Sequence, residues 1–203
     1  MEAVQLPGRG RQFRSALLRD VTSVVEHFLN SIENDTPDNI FLFGHSMGAI
    51  LAFECARALQ SSTKTSVKGL FVSACIAPSF PRNTKPIHDL PSPSFKEELK
   101  RINGTPKEVI NNQELMELIE PILRADFEIF ENYIYQDKCR LNTPIYAYSG
   151  LEDKLTPYKK MLAWERETRT SFEQKLLPGG HFFIHSESDR VLASLERIIL
   201  DTN

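Results

Sequence analysis

The chain has 203 residues, 41% of them hydrophobic and 25% charged, with 9 Gly and 12 Pro; these are globular proportions that exclude collagenous and disordered classes. Its 24 Lys+Arg against 27 Asp+Glu leave a net charge of −3 with both signs interspersed, which excludes the basic footprint of a nucleic-acid or anionic-membrane partner. Three cysteines without a Cys-x-x-Cys pair exclude a thiolate zinc cage and read as reduced thiols, and no apolar run approaches the ~20 residues that cross a bilayer, so a cytoplasmic protein is expected.

One domain over residues 1–203 is the natural count, with enough length to bury a core without a metal or disulfide staple. Val4-Gln5-Leu6 runs apolar into Pro7-Gly8 and reads as the end of a strand. From Phe13 to Ile32 the apolar residues recur at three- and four-residue spacings, which predicts an amphipathic helix over 13–32. Ile40-Phe41-Leu42-Phe43 is all apolar and predicts a strand buried on both faces. Gly44 to Gly48 make a tight break, and Ala49 to Leu59 reads as the next helix. Strands are also expected at Val67–Ser73 and Pro144–Ser149, and a closing helix at Asp189–Leu200. Alternation of strand and helix predicts an α/β fold with a mostly parallel sheet covered by helices on both faces. Between Pro78 and Asn142 the texture changes to a proline-rich entry and helical segments at 95–102, 106–111, 113–123 and 125–135, an insertion into the sheet order. Its apolar surplus suits either a cap over a hydrophobic cleft or ordinary packing on the domain.

The chemistry centres on Gly44-His45-Ser46-Met47-Gly48, a G-x-S-x-G set between a predicted strand and a predicted helix. Such a turn strains the serine backbone, exposes its hydroxyl and places the Met47 N–H at a helix start, where it can face an oxyanion; the glycines spare collisions with the neighbouring strand and helix. A serine hydroxyl needs a histidine base and the base a carboxylate, in the chain order Ser, acid, His. Of the five histidines, His27, His45 and His88 lie too early, leaving His181 and His185. His181 follows Pro178-Gly179-Gly180, a loop that can present it at a sheet edge, and is favoured over His185. Asp153, just beyond the predicted strand and the Ser149-Gly150 pair, is the expected acid, with the adjacent Glu152 its competitor. His181 and His185 at i, i+4 could instead hold a metal, but no glutamate lies between them and no third ligand is evident. No cofactor or metal is implied.

These residues resemble the type II thioesterases that accompany nonribosomal peptide, polyketide and fatty-acid synthases. The resemblance runs through Leu6-Pro7-Gly8-Arg9-Gly10-Arg11, Phe43 to Ala49, Gly104-Thr105-Pro106, Pro121 to Phe127, Gly150 to Asp153, Ala163-Trp164 and Pro178 to Phe183. It implies an α/β-hydrolase fold, Ser46 as nucleophile, Asp153 as acid, His181 as base, and the 78–142 insertion as a helical lid. The implied substrate is an acyl or aminoacyl thioester on the phosphopantetheine arm of an acyl or peptidyl carrier protein. An acidic carrier would call for a basic patch, with Arg9, Arg11 and Arg14 as candidates. The family's first strand and Gly-rich loop, which supply a second oxyanion N–H, would stand ahead of Leu6, so the chain reads as N-terminally incomplete. A serine esterase or lipase acting on oxygen esters, or an inert fragment that only binds a carrier, are the alternative expectations.

Overall fold

A computed structural model describes residues 2–32, 38–61, 65–81, 85–137 and 139–202. In chain order the elements are α1 (Val21–Ile32), β1 (Asn39–His45), α2 (Met47–Gln60), β2 (Ser66–Ser73), α3 (Ser92–Ile102), α4 (Lys107–Ile110), α5 (Gln113–Glu131), β3 (Ile145–Gly150), α6 (Tyr158–Met161), β4 (Phe172–Leu177), α7 (Phe183–Ser186) and α8 (Ser188–Thr202). Short 3₁₀ segments occupy Gly10–Gln12 and Leu162–Glu167. The elements fall into two compact units, Ile32–Pro81 with Tyr135–Asn203, and Met1–Ser31 with Arg82–Ile134.

The first of these units holds the sheet, in the order β1-β2-β3-β4 with every neighbouring pair parallel. Parallel neighbours cannot be joined by a tight turn, so all the carboxyl ends gather on one edge while helices make the return crossings. The β2–β3 register pairs Phe71 with Tyr146 and Ser73 with Tyr148, and on this face Phe71, Tyr148 and Leu177 pack with Phe183, Val191, Leu195 and Ile198 of α7 and α8. The Tyr148 hydroxyl meets Ser194 Oγ at 3.0 Å, so this buried polar tip is partnered. The alternate residues Leu70, Val72, Ile145 and Ala147 face the other way and are fully buried, and α2 packs on β1 and β2.

Sequence and structure part at several places. Val4-Gln5-Leu6 joins no strand. The predicted helix 13–32 begins only at Val21, because Asp20 caps it: its carboxylate accepts Ser23 N–H at 2.8 Å and Ser23 Oγ–H at 2.7 Å. Ile40 to Phe43 are half-buried rather than sealed on both faces, and Phe43 is 37% exposed. The reason is position: β1 stands at one end of the strand order, with β2 its sheet neighbour among the described residues. β4 carries the polar run Glu173-Gln174-Lys175 at its centre and so shows no continuous apolar pattern; it stands at the other end of the order.

The second unit is helical. Ile87, Phe95, Leu99, Ile110 and Met116 form its core, flanked by Leu90, Ile102, Ile119, Leu123 and Phe127. Where two helices are predicted at 113–123 and 125–135, α5 runs unbroken through Pro121 and stops at Glu131. Arg124 contributes to that continuity: it bonds Glu120 one turn back, donates to His88 O and lies over the Phe95 ring. Arg9, a candidate for an open basic patch, is instead paired bidentately with Asp126 at 2.8 and 2.9 Å. That pair ties the Leu-Pro-Gly-Arg segment to the Pro121–Phe127 segment.

Candidate active site

At the end of β1 the backbone reverses into α2 through Ser46, which sits at φ 53° and ψ −121°. A non-glycine residue there costs of order 1–3 kcal/mol and persists only where its surroundings over-determine it. Here they do: Ser46 N–H donates to Ser73 O on β2 at 2.7 Å, and Ala49 N–H to Ser46 O at 3.0 Å as α2 starts. Gly44 makes the turn sterically possible, because a Cβ on it would lie 2.0 Å from Gly48 O. Gly48 itself has open space where a Cβ would be, so only the first of the two glycines meets the expected collision. Gly44→Ala is therefore expected to cost about 3 kcal/mol, the upper end of the overpacking range, or to prevent folding. The urea midpoint checks it, and a parent-like midpoint would mean that the first turn of α2 can retreat.

The other two predicted side chains come from beyond the carboxyl ends of β3 and β4. Gly150 closes β3 with the carbonyls of Gly180 and Gly179 only 2.4 and 2.5 Å from where its Cβ would stand. This close approach lets the Pro178–Gly180 loop cross the end of β3, so the loops bearing Asp153 and His181 meet. The Leu151 and Glu152 N–H groups donate across the gap to Leu177 O at 2.9 Å and Gly179 O at 3.0 Å. Glu152, the rival acid, is spent on this crossing, since its carboxylate accepts the Gly179 N–H.

Asp153 is buried. Its Oδ1 accepts the N–H groups of Leu155 (2.8 Å) and Thr156 (2.9 Å), which leaves Oδ2 for His181 Nδ1 at 2.9 Å. An ionised carboxylate only accepts, so the His181 proton belongs on Nδ1, and Nε2 is then an acceptor for the Ser46 hydroxyl 3.0 Å away. The Asp153 loop is fixed in turn by Thr156 Oγ–H to Ala74 O (3.2 Å), and Trp164 Nε1–H bonds Cys75 O (2.6 Å). Ser46, His181 and Asp153 thus form one hydrogen-bonded path, drawn from positions 28 and 135 residues apart.

Met47 opens α2, where helix N–H groups have no partner within the helix. His185 lies on α7 with its ring stacked on Phe182 and outside that path. Among the described residues no group of three or more His, Cys, Asp or Glu side chains could hold a metal ion. Sequence reasoning set His45 aside. Yet its ring lies 5.3 Å, centroid to centroid, from His181, and Nδ1 is 2.9 Å from Ser73 Oγ. Burial, and secondarily the neighbouring His181, push the His45 pKa down to about 4, so it is neutral near pH 7. Its signal in the sequence was only adjacency to Ser46.

The thioesterase-domain family model matches residues 1–199. This chain belongs to the thioesterase family. The thioesterase is similar to linear gramicidin dehydrogenase LgrE of Brevibacillus parabrevis, 36% identical over 95% of this chain and 74% of that protein. It also resembles the gramicidin S biosynthesis protein GrsT of Aneurinibacillus migulanus, 34% identical over 90% of this chain and 72% of the other. Among solved structures, the type II thioesterase BorB from the borrelidin biosynthetic cluster matches with a TM-score of 0.87 and 32% identity, over 96% of this chain and 79% of BorB. With these neighbours, the thioesterase's parallel sheet and flanking helices are an α/β-hydrolase fold. Among its described residues no helix is long and apolar enough to cross a membrane.

Proposed function

We propose that this thioesterase acts in peptide or polyketide biosynthesis in the cytoplasm, hydrolysing acyl or aminoacyl thioesters held on the phosphopantetheine arm of a carrier protein by covalent catalysis at Ser46. The observation that carries this reading is the continuous path from Ser46 Oγ through His181 to Asp153, set on a strained elbow at a helix start. Ser46 Oγ attacks the thioester carbonyl carbon as His181 Nε2 takes the hydroxyl proton, and Asp153 stabilises the resulting imidazolium. The oxyanion develops beside the start of α2, where the Met47 N–H stands without a helical partner and can donate to it. Collapse breaks the C–S bond, and His181 returns the proton to the leaving thiolate. Water, deprotonated by the same Nε2, then attacks the acyl-Ser46 ester; the acid leaves and the proton goes back to Ser46. By resemblance the 78–142 insertion has the part of a lid for the acyl group.

LgrE's name points to a dehydrogenase, but the turn after β1 here presents a serine backed by histidine and aspartate, the equipment of acyl transfer. The test compares an acyl-pantetheine thioester with the matching oxygen ester. A higher kcat/KM for the thioester is expected, with a further gain when the arm is attached to a carrier protein. Equal values for thioester and ester would turn the reading to a general esterase, and no turnover of either would leave a non-catalytic carrier-binding chain.

A further inference from the structure

We propose that His45, anchored by Ser73, is the positioning residue that seats the His181 imidazole between Ser46 and Asp153; this rests on the serine-triad reading above. His45 and Ser73 are register partners at the carboxyl ends of β1 and β2. Ser73 is fully buried and holds the elbow twice: its carbonyl accepts the Ser46 N–H at 2.7 Å, and its hydroxyl meets His45 Nδ1 at 2.9 Å.

From that anchor the His45 ring reaches the loop that carries the base. It lies 5.3 Å from the His181 ring, 5.9 Å from Phe182 and 6.1 Å from Phe183, while Phe182 stands edge-on to His181 at 5.0 Å. His181 follows two glycines, so its Asp153 bond alone would let the ring swing about Nδ1; His45 and Phe182 close two of its sides.

The protonation state of His45 suits this place. Its Nε2 is buried without a hydrogen-bond partner. An orphaned N–H is costlier to bury than an orphaned lone pair, so the proton belongs on Nδ1, donated to Ser73 Oγ. The titratable groups that act on the ring are His181, Asp153 and His185. A neutral ring adds no charge against the imidazolium that His181 becomes during turnover. Phenylalanine at 45 would keep the packing and lose the anchor.

The experiment pairs His45→Phe with Ser73→Ala, which removes one buried hydroxyl and serves if the first variant folds poorly. On an acyl-pantetheine thioester each should lower kcat by about 10- to 100-fold, the scale of a small misplacement of reacting groups, with KM unchanged. Fluorophosphonate labelling of Ser46 should slow by the same factor, and the downfield NMR proton of His181 Nδ1–H should shift or broaden. Because both act through one anchor, the double variant should be no slower than His45→Phe alone. A kcat within twofold of the parent, or a fall that follows melting temperature while the His181 proton is unmoved, would overturn the proposal. Ser46→Ala separates the two levels: if it keeps turnover, the triad reading itself fails; if it is inactive while His45→Phe and Ser73→Ala match the parent, only the positioning role fails.

Discussion

Ser46→Ala is expected to lower kcat for thioester hydrolysis on the order of 10⁶-fold, the loss seen when a serine triad is stripped of its nucleophile. The substitution is clean. Alanine keeps the Cβ that already tolerates φ 53°, and the backbone bonds from Ser46 N–H to Ser73 O and from Ala49 N–H to Ser46 O do not involve the hydroxyl. Only Oγ and its 3.0 Å contact to His181 Nε2 disappear. The melting temperature should therefore stay at the parent value. Mass spectrometry after a stoichiometric pulse of thioester should show an acyl adduct on Ser46 in the parent and none in the variant. Turnover within tenfold of the parent would remove Ser46 from the role of nucleophile.

Asp153→Asn should cost about 10⁴-fold in kcat with little change in fold, because it inverts the tautomer of the base. The asparagine oxygen can keep the two backbone donors from Leu155 and Thr156, which leaves the amide NH₂ facing His181 Nδ1. An N–H facing Nδ1 requires an unprotonated Nδ1, and the proton then sits on Nε2, where it blocks acceptance from Ser46. Stability measured beside kcat decides the cause. A large loss of activity at unchanged melting temperature, with the downfield His181 proton gone, is the expected pattern. Parent-like kcat would mean that another carboxylate orients the base. Glu152 is already engaged with Gly179 N–H, so Glu152→Gln should leave the His181 tautomer as it is.

How much of this was legible depended on how local the cause was. The elbow lay in sequence because its signal is local: an apolar strand, a glycine that must lack a Cβ and a helix start follow one another directly, although Ser73 O also holds it from β2. The order along the chain also pointed to Ser46, Asp153 and His181, three side chains that the fold joins by hydrogen bonds. The start of α1 was missed because the apolar period continues upstream of the cap, and hydrogen bonds donated by Ser23 to the Asp20 carboxylate decide where the helix begins. β4 was missed because Glu173-Gln174-Lys175 interrupt its apolar residues, while its place is secured by parallel pairing with β3 from Ile145↔Phe172 to Gly150↔Leu177. The split expected in α5 failed because Arg124 gains Glu120, the His88 carbonyl and the Phe95 ring, contacts that reach up to 36 residues away in sequence.

The sequence by itself determined the alternation of strand and helix, the serine turn, the family likeness and the short list of acids and bases, because hydrophobic period and turn chemistry act between near neighbours. Tertiary structure decided which of the candidate side chains meet. Asp153 faces His181 while Glu152 holds Gly179, and His181 rather than His185 lies against Ser46, because Gly150 lets the loop after β4 cross within van der Waals reach of the end of β3. Arg9 turned from a free cation into the partner of Asp126, and His45 from a bystander in the motif into a part-buried neutral ring beside His181. Each of these outcomes depends on which backbones approach one another, and register and close packing between distant segments settle that where local pattern does not.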